Sequence, residues 1–186
     1  YTEEYLPGQI LSEVITENRA QGKVPAADEI VEIFQHGVGA IERMWSQKYI
    51  NRDIKPGNIM ITGNVQRPVV IFDLGIAFDR DGTSLTAQPL GPGTLRYRAP
   101  ETLDPDYRAS IDYRSDLFSL AATTYEYAAG FHPIHQGSSS EGETVYRLLK
   151  KNAAPLKAQR QDLPDDFCVL IDRCLHKKPA LRPNRF

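Results

Sequence analysis

The chain has 186 residues, 41% hydrophobic and 25% charged. That balance suits one globular domain with a sizeable core. A formal net charge of −2, with Lys and Arg scattered rather than clustered, gives no footprint for nucleic acid or an anionic membrane surface. No run approaches the ~18 apolar residues of a membrane span, and the residues from Tyr1 onward do not read as a secretory leader. The segment is therefore expected to be cytoplasmic and to make no membrane contact. Cys168 and Cys174 lack zinc spacing. They read as two partly buried thiols on one helix in a reducing compartment.

Leu6-Pro7-Gly8 is a turn signal. Ile10, Leu11, Val14 and Ile15 then recur at helical spacing as far as Gln21-Gly22. The longest helical pattern runs from Ala26 to about Gln47, with Ile30, Val31, Phe34, Val38, Ile41, Met44 and Trp45 on one face. Residues 53–58 contain Pro56-Gly57 and read as a loop. Ile59-Met60-Ile61 and Val69-Val70-Ile71-Phe72 are bounded by Gly63-Asn64 and Arg67-Pro68, which predicts a hairpin. Residues 79–100 carry three Gly and three Pro and few large aliphatics. A loop of that length inside a domain is usually functional. An apolar helix starts at Ser115 and ends at Gly130. A solvated loop at 137–142 precedes helices over about 143–151 and 164–176. The expected balance is mostly helix with one small hairpin.

The chemistry concentrates in Asn51-Arg52-Asp53-Ile54-Lys55-Pro56-Gly57-Asn58. Phosphoryl transfer needs a carboxylate by the attacking hydroxyl, a cation by the migrating phosphoryl, and oxygen ligands for Mg²⁺. This one loop holds all three. Asp73-Leu74-Gly75 follows the second strand, so the hairpin can return Asp73 beside Asn58 and let two oxygens share one metal. Taken alone, Asp and Asn in loops are more often turn formers. Two ligand-bearing loops flanking one hairpin weigh against that bland account.

Gly93-Thr94-Leu95-Arg96-Tyr97-Arg98-Ala99-Pro100-Glu101, Asp116 and Arg182-Pro183 follow in order. With these the chain resembles the eukaryotic-type Ser/Thr protein kinases. NRDIKPGN matches their H-R-D-x-x-x-x-N catalytic loop, DLG their D-F-G and RAPE their A-P-E. The resemblance covers essentially the whole chain and, in DLGIA, looks like bacterial members. It implies a protein-kinase C-terminal lobe. Residues 1–8 would be a hinge remnant, 9–186 the lobe, 51–58 the catalytic loop and 73–101 the activation segment. The N-terminal lobe and a last helix are expected to lie outside the sequence, since no Gly-rich loop or strand Lys is found in it.

The resemblance also implies roles. ATP and Mg²⁺ would be the cofactors and a protein Ser/Thr hydroxyl the acceptor. Asp53 would orient or deprotonate that hydroxyl, Lys55 would neutralise the phosphoryl group, and Thr94 would bond both and seat the substrate. Asn58 and Asp73 would hold the metal. Glu4 and Leu6 would offer backbone groups to adenine. Glu101 and Arg182 would pair, tying the activation segment down, and Asp116 would anchor the catalytic loop. Arg52 would answer a phosphate at Thr83, Ser84 or Thr86. Asn51 stands where the family usually has His, and Leu74 where it has Phe. Two rivals remain at this point. A kinase-like docking module without catalysis is one. A small-molecule kinase of the aminoglycoside type is the other, and the stretch from Gly93 to Glu101 disfavours it.

Overall fold

The computed structural model describes residues 5–72, 95–103, 111–137 and 140–185, together with the backbone of Phe78 and Asp79. Glu4, Asp73, Thr83, Ser84, Thr86 and Thr94 lie outside the described residues.

A helix buried on every side is the centre of its domain, and α3 (Tyr113–Ala129) is that helix. Every residue from Ser115 to Ala128 is buried. Asp112 caps its first turn by accepting the Arg114 N–H, and Gly130 closes it at φ 79°, a left-handed angle that glycine adopts without strain. Helix α2 (Ala27–Ser46) packs against α3 and buries Ile30, Ile33, Phe34, Gly37 and Ile41 in the core. Contact is close at Gly37, where a Cβ would come within 2.6 Å of Leu120 Cδ1. Before α2 stands α1 (Leu11–Gln21), closed by Gly22 at φ 64°. After α3 come α4 (Glu141–Lys150), α5 (Leu156–Gln159) and α6 (Asp165–Cys174). Ser140 caps α4, its hydroxyl accepting the Glu143 N–H, as its short polar side chain favours. Cys168 and Cys174 are both free and buried on α6.

The expected hairpin is present as β3 (Ile59–Thr62) and β4 (Val69–Ile71), with Ile59 opposite Ile71. The sheet is larger than the sequence suggested. Strand β1 (Gly8–Ile10) pairs antiparallel with β3 and gives the order β1-β3-β4. A second, two-stranded sheet joins β2 (Tyr49–Ile50) to β5 (Phe78–Asp79). Among the described residues no helix is long and apolar enough to cross a membrane.

Candidate active site

Between β2 and β3 the chain makes a tight loop whose backbone is held from below. Asp116, on the first turn of α3 and 1% exposed, accepts the Asn51 N–H on Oδ2 and the Arg52 N–H on Oδ1, both at 2.9 Å. Those bonds steady Arg52 at φ 66°, a left-handed conformation costly for a side chain with a Cβ. Burial pushes the Asp116 carboxyl up to about 6, against the opposing pull of the two N–H donors.

Asn51 turns its amide inward. It is fully buried, and its Oδ1 accepts the Asp53 N–H at 2.9 Å. The polar residue thus serves as a brace inside the loop. The sequence marked Asn51 only as a departure from the usual His, because a spacing pattern does not reveal that an amide oxygen will face a backbone N–H two residues on.

Asp53, Lys55 and Asn58 come together. Lys55 Nζ donates to Asp53 Oδ2 at 2.7 Å. Asn58 Nδ2 donates to the same oxygen at 2.9 Å and to the Asp53 carbonyl at 3.0 Å. Pro56 starts a short 3₁₀ turn, Pro56–Asn58, which its fixed φ favours and which swings Asn58 back over Asp53. The second carboxylate oxygen, Asp53 Oδ1, is buried and has no hydrogen-bond partner among the described residues. The Asn58 amide nitrogen faces Asp53, so Oδ1 remains as a hard oxygen donor that fits a divalent cation. The Phe72 N–H donates to the Asn58 carbonyl at 3.0 Å, which brings the end of the hairpin against the same loop. Leu6 is partly buried just before β1.

A second constellation ties residues 95–103 to the body. Arg182 grips Glu101 with two nitrogens, at 2.6 and 2.8 Å. It is 2% exposed, and it also donates to the carbonyls of Arg114, His176 and Lys177. Ser115 Oγ donates to Glu101 at 2.7 Å. A buried pair this well satisfied costs about 3–5 kcal/mol to break from one side.

A third group was missed by the sequence. Tyr97 donates to Glu126 Oε2 at 2.5 Å, and Arg19 donates to Glu126 Oε1 at 2.6 Å. This links α1, α3 and the segment after residue 94. Three residues so far apart in the chain leave no local signal. Burial and Glu126 together raise the Tyr97 hydroxyl well above its ordinary value.

The loop that carries Asp53, braced on a buried central helix beside a small sheet, has its counterpart in solved protein-kinase structures. The kinase domain of PknI from Mycobacterium tuberculosis superposes with a TM-score of 0.67 at 24% identity, over 97% of this chain and 58% of that one. The family described as "Protein kinase domain" matches residues 2–185. The chain belongs to the eukaryotic-type Ser/Thr protein kinase family. It is 31% identical over 181 residues to the serine/threonine-protein kinase AfsK of Streptomyces coelicolor, covering 97% of this chain and 20% of that protein. It is 29% identical over 180 residues to serine/threonine-protein kinase PknB of Mycobacterium leprae, covering 96% and 27%. The chain thus spans about a fifth to a quarter of the length of these relatives.

Proposed function

We propose that this chain is the C-terminal catalytic lobe of a Ser/Thr protein kinase that moves the γ-phosphoryl group of ATP to a protein hydroxyl. One observation carries the reading. Asp53 is fixed through one carboxylate oxygen by Lys55 and Asn58, and its other oxygen is buried and has no partner among the described residues. An incoming hydroxyl can supply that missing hydrogen bond, which aligns its lone pair for attack.

In the proposed reaction the substrate oxygen bonds to Pγ as the bond from Pγ to the bridging oxygen breaks. The hydroxyl proton passes to Asp53, and ADP departs with the electron pair. Lys55, beside Asp53, offers its ammonium to the phosphoryl oxygens. Mg²⁺, held by Asn58 and Asp73, would neutralise phosphate charge. Thr94 would help seat the acceptor, while Glu4 and Leu6 would offer backbone groups to adenine. Asp116 and Asn51 position the loop without touching substrate. Glu101 and Arg182 hold the activation segment to the lobe. A phosphate on Thr83, Ser84 or Thr86 would be read by Arg52. A lobe outside these residues would close over the ATP phosphates.

The docking-only alternative makes the opposite prediction for Asp53. In a kinase domain that carries this chain, Asp53→Asn should lower transfer from Mg-ATP to a generic basic protein by at least about 10³-fold. The thermal transition should be unchanged. Equal activity in the variant, or none in the parent, would leave docking as the function.

A further inference from the structure

The loop after α3, residues 131–137, brings an unusual set of donors together. His132 and His135 are 1% and 2% exposed, with ring centroids 5.0 Å apart. His132 Nδ1 accepts the N–H groups of Ile134 and His135, both at 3.1 Å. Its neutral form therefore carries the proton on Nε2. That atom makes no hydrogen bond among the described residues, and neither nitrogen of His135 does. A hydrogen-bonding contact with the Arg96 backbone favours the protonated form of His132, against the larger effect of burial.

Cations converge on the same place from three other segments. Arg96 donates one nitrogen to the His135 carbonyl at 3.2 Å, and its Nε is buried without a partner among the described residues. Arg147, on α4, donates to the Gln136 carbonyl at 3.2 Å. Lys177, after α6, has a buried Nζ with no hydrogen-bond partner among the described residues. Its neighbours are the Phe118 ring at 5.7 Å and the charge of Arg182. The acids nearby are already engaged, Glu143 with Arg147 and Glu101 with Arg182.

Among the described residues, Arg96 Nε, Lys177 Nζ and the ring nitrogens of His135 have no hydrogen-bond partner. Burial among like charges pushes His135 down to about 4, Lys177 down to about 8, and His132 well below its ordinary value. A divalent cation would be repelled by this field. A multi-oxygen anion would satisfy several orphaned donors at once.

We propose that Arg96, His132, His135, Arg147 and Lys177 form a subsite for a phosphoryl group carried on a peptide. Arg96 and Lys177 are only partly buried and give the anion a way in. Arg96 stands two residues beyond Thr94. The peptide is thus a protein substrate already phosphorylated near its acceptor hydroxyl, an identification that rests on the kinase reading above.

NMR titration of the full chain tests this without nucleotide, so an inactive kinase leaves the result intact. The probes are a short phosphoserine peptide, its unphosphorylated twin and inorganic phosphate, with His36 and His176 as internal controls. The phosphopeptide should shift the His132 and His135 resonances and raise the His135 pKa, and the twin should do neither. Lys177→Met should weaken phosphopeptide binding about tenfold or more. If that variant does not fold, Arg147→Met is read in the same way. Free phosphate should bind at least about tenfold more weakly than the peptide. The proposal is overturned by unmoved histidine signals, by unchanged affinity in a folded variant, or by equal affinity for free phosphate, which would make this a simple phosphate site.

Discussion

Asp116 puts two opposing forces on a single carboxyl. Two backbone N–H groups favour its charged form, and complete burial favours the neutral one; burial wins, placing the group near 6 in the folded chain against an ordinary 3.8. The folded state therefore binds an extra proton between those values. The stability this group contributes is full below the lower value and lost as pH rises through about 6. Asp116→Asn has no such titration. Denaturant unfolding of both proteins should show the parent losing ground to the variant by about 2 kcal/mol between about pH 4.5 and about pH 7.5. A gap that moves the other way would mean that the N–H donors of Asn51 and Arg52 outweigh burial. The prediction belongs to one residue, yet its consequence is the shape of the loop that carries Asp53.

Helix α2 meets α3 across a gap one side chain wide. Gly37 leaves room for Leu120, and any Cβ at 37 would press on a methyl group of a fully buried leucine. Gly37→Leu should therefore destabilise the chain by about 1–3 kcal/mol through overpacking. Leu120→Ala alone should cost about 2–5 kcal/mol through the cavity it leaves. The two changes together should cost clearly less than their sum, because each relieves the other. Additive losses in urea titrations would show that these helices are not packed through this pair. At this scale the sequence was readable where periodicity was strong. The apolar stripe of α2 and the run through α3 gave both helices, and the hairpin followed from its flanking turn residues. It was silent where pairing is remote. Gly8-Gln9-Ile10 has no alternation, and only its partners Thr62, Ile61 and Met60 make it a strand. Strand β2 has two residues and depends on β5 in the same way. In the site, the grouping of Asp53, Lys55 and Asn58 was legible because one short loop contains all three. The Asn51 brace and the Arg19–Glu126–Tyr97 chain were not, because both depend on where side chains land after folding.

For the molecule as a whole, on the proposed reading the described residues would supply one wall of a nucleotide site: the Asp53 loop, the β1-β3-β4 sheet and Leu6 at its edge. Phosphoryl transfer is mostly positioning and charge stabilisation, and a triphosphate lying on one wall stays solvated on its other side. Ordering it there costs rotational and translational freedom that a single wall repays poorly. On the reading that this chain is a C-terminal lobe, calorimetry of the 186-residue chain with Mg-ATP should give a Kd weaker than about 1 mM. The same loop joined to a lobe that covers the phosphates should bind far more tightly. Micromolar affinity in the chain by itself would mean that the wall is a complete site. The division of labour between lobes would then have to be redrawn, with Asn58 and Lys55 taking charge that is here assigned to residues beyond this sequence.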